Sequence, residues 1–365
     1  MDRVGIGIVG LGNISGAYLK ASKDFPILDI KAVADLNPAA AKAKADEHGL
    51  NAVPLDDIFT DPSIEIVLNL TIPKAHVDVG LRAIESGKHV YSEKPLGVEF
   101  AQGKKLIAAA KAKGLRVGSA PDTFLGGAHQ TSRKLIDSGL IGTPVGGTAY
   151  FMCPGHERWH PNPAFYYEAG GGPMLDMGPY YITDLVNLLG PVARVAGMTV
   201  TPTPTRTITS QPRNGEVIPV HVPTHVSGML QFKNGAVVQM TMSFDVAGHK
   251  HVPLEIYGTE ATLIVPDPNH FGGQVESLKK GGEWTNVPTD MPYADGNYRS
   301  IGLADMAHAI RANRPHRANG DLALHVLEVM EAFGRASDAG TSIAMTTTVE
   351  RPAPLSESLV NGRLG

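Results

Sequence analysis

Short apolar runs alternate with amphipathic stretches through the first third of the chain. Val4–Gly10 (VGIGIVG) is continuously apolar and rich in branched residues, the pattern of a strand buried on both faces. Leu28–Ala34 and Ile64–Leu70 repeat it, and Ala52-Val53 is a very short version. His89–Leu96 then reads as a fifth strand and Leu115–Ser119 as the next. The helical patterns between them stop at Gly49, Gly87 and Gly114, with Gly139 closing a later one. Asn37-Pro38 opens one helix as cap and first-turn proline, His76 lies in the first turn of another, and Phe100–Lys113 forms a third. This alternation means βαβ units and a parallel sheet. Right-handed crossovers then bring the strand-end loops to one edge.

The pattern changes after Pro121. A helix is predicted at Leu125–Asp137, a strand at Gly146–Cys153, and a long loop at Pro154–Gly172 rich in Gly, Pro, His and aromatic residues. Gly172–Gly190 reads as a helix laid across the domain junction. Strands follow at Arg194–Thr201, Thr224–Phe232, Ala236–Phe244, Leu254–Tyr257 and Ala261–Val265, with Asn234-Gly235 as a hairpin turn. Alternation in Val237–Ser243 implies a sheet face that is exposed or covered by a partner. Helices return at Gly302–Ala312 and Leu322–Ser337, and the tail beyond Pro352 looks irregular. The expected architecture is α/β plus α+β, with residues 1–122 as a nucleotide-binding domain and 123–365 as a substrate and oligomerisation domain.

Composition narrows the class. A net charge of −4 leaves no basic excess to hold nucleic acid or an anionic membrane surface. No apolar run is long enough to span a bilayer, and the N-terminus lacks a signal-peptide layout. Cys153 is the single cysteine, so no internal disulfide can form. A cytoplasmic protein is expected.

Candidate chemistry sits at the ends of the strands, where open parallel sheets bind ligands. Gly10-Leu11-Gly12-Asn13-Ile14-Ser15-Gly16 is nearly G-x-G-x-x-G, with Ser15 at the third site. The first glycine permits a tight turn, the second lets backbone approach a pyrophosphate, and a small third residue allows close helix–strand packing. Asp35 ends the second strand at the spacing of a ribose-binding acid. It would repel a 2′-phosphate, and Leu36 follows in place of an arginine, which argues for NAD. Thr71 and Pro73 edge the next site, and Glu93-Lys94-Pro95 ends the His89 strand with a lysine aimed at the ligand. His156 and His160 are spaced i, i+4, but flanking prolines argue against a regular helix and no third ligand is evident, so no metal is expected. Trp159, Tyr166 and Tyr167 offer ring faces to a sugar, and His160 and Asn162 offer hydrogen bonds.

Gly10–Gly16, Asp35, Thr71–His76 and Glu93-Lys94-Pro95, in this order, resemble the Gfo/Idh/MocA family over essentially the whole chain. The resemblance implies NAD(P)-dependent oxidation of sugars and cyclitols, and a Rossmann domain followed by a domain with a large open, mostly antiparallel sheet. Gly10, Gly12, Asn13, Ile14, Asp35, Thr71, Pro73, His76, Glu93 and Lys94 would then contact NAD. Lys94, Asp122, His160, Tyr166, Asp176 and Tyr180 would face the substrate. The resemblance also implies a homo-oligomer, dimer or tetramer, through the C-terminal sheet. In the family's second signature an Asp is followed four residues later by a His. Here Asp176 is followed by Tyr180, which leaves the identity of the general base open.

Oxidising a carbinol requires a base for the hydroxyl proton, and both lysine and tyrosine ordinarily titrate well above neutral pH. Lys94 and Tyr180 are therefore expected as a proton-transfer pair whose pKa values the positive nicotinamide ring of NAD⁺ would push down, supported by Asp176, with His160 in reserve. The expected activity is oxidation of a sugar or cyclic polyol, and more narrowly of an aldose to its lactone, with a small pentose such as D-apiose as one candidate. The alternatives are a glycosidase that oxidises its substrate transiently with bound NAD, and a catalytically silent dinucleotide sensor.

Overall fold

The computed structural model describes residues 2–357, 359 and 362–364. The N-terminal half runs β1 (Val4–Val9), α1 (Ser15–Ala21), β2 (Leu28–Ala34), α2 (Pro38–His48), α3 (Leu55–Thr60), β3 (Ile66–Asn69), α4 (His76–Glu85), β4 (His89–Ser92), α5 (Phe100–Ala112) and β5 (Val117–Ser119). All five strands are parallel, in the order β2-β1-β3-β4-β5. Every residue of β1 is buried, as its continuous apolar run requires. Asn37 caps α2 by accepting from the amides of Ala39 and Ala40, and Gly49 ends that helix in the left-handed conformation.

Two expectations need correction here. Ala52-Val53 contributes a single bridge from Ala52 to Val33 and no strand, so His89–Ser92 is the fourth strand of the sheet, not the fifth. The short helix α3 was not expected, because its six residues are too few to display a period.

The second half runs α6 (Gly127–Asp137), β6 (Pro144–Met152), α7 (Gly172–Leu189), β7 (Val192–Val200), β8 (Thr205–Thr207), β9 (Val217–Pro219), β10 (His225–Phe232), β11 (Val237–Ser243), β12 (Leu254–Gly258), β13 (Ala261–Val265), β14 (Val275–Lys279), β15 (Trp284–Val287), α8 (Ile301–Arg311), α9 (Gly320–Ala339) and β16 (Ile343–Ala344). Among the described residues nine strands form one sheet, β15-β14-β13-β12-β6-β11-β10-β7-β16, antiparallel except for the parallel pair β6–β11. The helix expected from Leu125 is broken at Gly126: a 3-10 turn covers Thr123–Leu125 and α6 starts afresh at Gly127.

Helices α7 and α9 pack against one face of the large sheet. On the other face Met198, Met229 and Val237 remain exposed. The chain then crosses back. Helices α8 and α9 pack on β5, Ser119 donates its amide to the Ala318 carbonyl, and Arg311 pairs with Glu65. A Cβ on Gly302 would lie 2.1 Å from the Tyr91 hydroxyl, so α8 sits hard against β4. The C-terminal segment thus completes the N-terminal domain. Among the described residues no helix is long and apolar enough to cross a membrane.

Candidate active site

The carboxyl ends of β1, β2 and β3 form one edge. Gly10 has φ +95°, and a Cβ there would come within 2.7 Å of the Leu70 backbone, so the turn demands glycine. Gly12 instead faces open space, with nothing within 4 Å of an ideal Cβ. Ser15 is buried, and its hydroxyl donates to the Gly12 carbonyl at 2.7 Å, which ties the loop to the start of α1. Asn13 is exposed and Ile14 half-buried beside it. The Asp35 carboxylate accepts from the amides of Leu11 and Asn37, each at 2.8 Å. Each oxygen keeps a further lone pair for a ribose hydroxyl. Leu36 and Ile72, at the ends of β2 and β3, stand 89% and 66% exposed, which gives this edge apolar surface for a flat heterocycle. The open cradle at Gly12, the free acceptors of Asp35 and these two side chains fit a dinucleotide.

Thr71 and Pro73 lie half-buried on the same edge, with Thr71 Oγ1 donating to Asn69. His76 is fully enclosed, and its ring nitrogens face the carbonyls of Pro95 and Thr71. It fastens the loop after β3 to the turn after β4 and has no surface for cofactor, contrary to the expectation of direct contact.

At the end of β4, the Glu93 carboxylate accepts from the Tyr18 hydroxyl and from the Lys94 amide, each at 2.8 Å. Lys94 Nζ then reaches α7, where it donates to Asp176 Oδ1 at 2.8 Å and to the Asp176 carbonyl at 2.7 Å. Asp176 and Tyr180 share a face of that helix at i, i+4. The Lys94 ammonium lies 5.0 Å from the centre of the Tyr180 ring.

The second Asp176 oxygen lies 3.1 Å from His156 Nε2. Trp159 Nε1, which can only donate, lies 3.1 Å from His156 Nδ1. The neutral ring therefore carries its proton on Nε2 and gives it to Asp176; this tautomer is assigned from the network. His156 is a donor that orients Asp176, not a base.

Burial disfavours charge on both Lys94 and Asp176, but each is overruled by the other. The Asp176 carboxylate, with Tyr180 and Glu93, holds Lys94 above the ordinary lysine value. Lys94 and His156 hold Asp176 well below the usual carboxylate range. Burial raises Tyr180, against the lowering influence of Lys94 and Arg299. In the protein alone the direction is therefore upward at both Lys94 and Tyr180, so any lowering has to come from what binds beside them.

Three other expected residues are placed differently. Asp122 is fully buried at the domain junction, where Oδ2 accepts from the amides of Ser300 and Gly302, so it is closed off from substrate. His160 turns its Nδ1 to the Asn162 amide, and the loop histidine that reaches the reactive group is His156. Tyr167 is buried and bonds Glu157, so it offers no ring face, whereas Trp159 is exposed and Tyr166 packs 4.5 Å from the His156 ring.

Two profiles match the chain in order. Residues 4–120 match the NAD-binding Rossmann domain of an oxidoreductase family, and residues 129–264 match the GFO/IDH/MocA C-terminal domain. The chain belongs to the Gfo/Idh/MocA family. Its relatives include a 1,5-anhydro-D-fructose reductase of Ensifer adhaerens, 25% identical over 84% of this chain and 88% of that one. A levoglucosan dehydrogenase of Pseudarthrobacter phenanthrenivorans is 26% identical over 72% of this chain and 74% of its own length. Among solved structures, a levoglucosan dehydrogenase in complex with NADH and L-sorbose superposes with a TM-score of 0.83 at 22% identity, covering 95% of this chain and all of that one. The family establishes an NAD-binding oxidoreductase. Within this chain the lysine–aspartate pair is assembled, and Tyr180 stands one helical turn beyond Asp176.

Proposed function

We propose that the protein is an NAD-dependent dehydrogenase that oxidises a ring or anomeric carbinol of a sugar or cyclic polyol. The observation that carries this is the Lys94–Asp176 contact between the end of β4 and α7. It sets an ammonium and a phenol side by side at the strand end where nicotinamide cofactors place the hydride acceptor.

In this reading Lys94 Nζ donates to the reacting oxygen and stabilises negative charge as the O–H bond breaks. Asp176 holds that ammonium charged and aimed, and His156 holds Asp176. Tyr180, ionised for the step, accepts the hydroxyl proton on its phenolate oxygen. Trp159 and Tyr166 stand beside His156 in the loop, where ring faces suit the apolar face of a sugar. Leu36 and Asp35 favour NAD over its 2′-phosphate. The exposed face around Met198, Met229 and Val237 supports association of copies through the large sheet.

An aldose going to its lactone is the narrower form of the proposal; no contact in the cleft singles out D-apiose. The test is NADH formation across a panel of aldoses, anhydrosugars and inositols, with nitrophenyl glycosides alongside. Reduction of NAD by at least one carbinol is expected. Nitrophenol release without NADH would instead mark a glycosidase working by transient oxidation. Silence in both arms would leave a dinucleotide sensor.

A further inference from the structure

The turn before α8 sends a side chain into the site that no local pattern announces. Arg299 Nη1 donates to the Tyr180 hydroxyl oxygen at 3.2 Å, and its guanidinium carbon lies 5.5 Å from the Tyr180 ring centre. Lys94 is the other cation near that ring, at 5.0 Å. Arg299 differs from Lys94 in how its charge is used. Lys94 is ion-paired with Asp176, whereas Arg299 bonds the neutral oxygens of Tyr180 and Asn269, the latter at 3.0 Å.

The mounting of Arg299 is rigid on both sides. Asn269 belongs to the loop after β13, where its amide is bonded to Asp267 and the neighbouring His270 carbonyl to the buried His129 ring. Ser300, the next residue after Arg299, has φ +150°, a region L-residues rarely adopt. Its amide is held by Asp122 and its hydroxyl donates to the Tyr18 carbonyl.

We propose that Arg299 is a positioning residue for proton transfer: it occupies a lone pair of the Tyr180 oxygen, turns the phenolic proton away from itself, and stabilises the tyrosinate that takes the substrate proton. This rests on the dehydrogenase reading and adds to it the means by which a tyrosine can take up the substrate proton. In oxidation the carbinol O–H bond breaks and the Tyr180 O–H bond forms, while the carbinol hydride leaves to the nicotinamide. In reduction the phenol returns the same proton to the alkoxide. An N–H donor aimed at the oxygen favours the charged form of the phenol and is worth most where water is excluded. The groups facing Tyr180 are Lys94 and Glu93 from the β4 end, Asp176 on its own helix, Tyr166 from the loop and Arg299. Burial, Glu93 and Asp176 oppose ionisation, and Arg299 works against them together with Lys94, but through a direct hydrogen bond to the phenolic oxygen.

The test reads Tyr180 directly and needs no substrate. Fluorotyrosine is placed at position 180 and its ionisation followed by fluorine NMR against pH. In Arg299→Gln the midpoint should rise by about one pH unit or more, a tenfold loss of tyrosinate at fixed pH. Arg299→Lys should recover part of that shift, because it restores charge without the fork that also grips Asn269. A midpoint unchanged in Arg299→Gln would overturn the proposal. Should that variant not fold, Asn269→Ala unmoors the guanidinium and is expected to raise the midpoint in the same sense; no change there would overturn it equally. If the midpoint follows Arg299 but no carbinol reduces NAD, the dehydrogenase reading falls and only the control of Tyr180 ionisation by Arg299 stands. If carbinols are oxidised and the midpoint ignores Arg299, the reverse holds.

Discussion

The N-terminal sheet is covered on both faces, and the nine-stranded sheet on one. In β1 every residue from Val4 to Val9 is buried, so no ligand can lie on that sheet and its chemistry is confined to the strand ends. In β7 burial alternates, with Val195 enclosed and Met198 76% exposed, so the large sheet keeps part of a face open for something else. The cleft arises where the two meet. The strand ends of the first sheet supply Lys94, and α7, a helix lying on the covered face of the second, supplies Asp176 and Tyr180. One sheet therefore organises chemistry at its edge, and the other at the helix it carries.

That contrast can be broken from either side. The largest effect is expected at the strand end: Lys94→Ala should lower turnover by about a thousandfold or more while NADH binding, followed by fluorescence, persists. Activity within tenfold of the parent would remove Lys94 from the mechanism. Tyr180→Phe should cost about a hundredfold or more in kcat with KM for NAD unchanged, the range of a lost acid–base group. A parent-like kcat would show that the proton goes elsewhere.

Glycines of the first loop sharpen the comparison further. Gly10→Ala should destabilise the fold by about 1–3 kcal/mol in thermal or denaturant melts, since it pairs a positive φ with a backbone clash. Gly12→Ala should leave the melting temperature near that of the parent and weaken NADH binding instead, because its Cβ would enter open space. Equal melting temperatures for the two variants would contradict the geometry at Gly10. The smallest effect on catalysis belongs to the open sheet face. Met229→Glu should shift the protein to a smaller species in light scattering while its unfolding midpoint as a monomer barely moves. An unchanged mass would show that this face does not join copies.

The first half of the chain was readable because its signals are local. A buried parallel strand writes itself as a continuous apolar run, and the glycine loop, Asp35 and Lys94 each follow directly on such a run. The α7 pair was readable for the same reason, as one turn of helix separates Asp176 from Tyr180. The rest of the site is made by contacts that sequence spacing does not encode. Arg299 is 119 residues from Tyr180, in an irregular turn with no period. His156 and His160 look alike in the sequence, and only the fold of the loop shows which one meets Asp176. Asp122, read as a substrate residue, is hidden because α8 returns to cover it, a long-range event. The upward direction at Lys94 was out of reach likewise, since it comes from the Lys94–Asp176 pairing, which only the fold brings together.

The return of α8 and α9 also has a consequence for how the chain is made. A ribosome releases β1 to β5 first, yet β5 gains its cover of Ile301–Arg311 and Gly320–Ala339 only after the whole nine-stranded sheet has been synthesised, apart from β16. Until then the apolar flank of β4 and β5 stands open, and closure requires contacts across some two hundred residues of intervening sequence. The nucleotide-binding half is the first to be translated and among the last to be finished, so truncation ahead of α8 should strand it as an exposed, aggregation-prone intermediate.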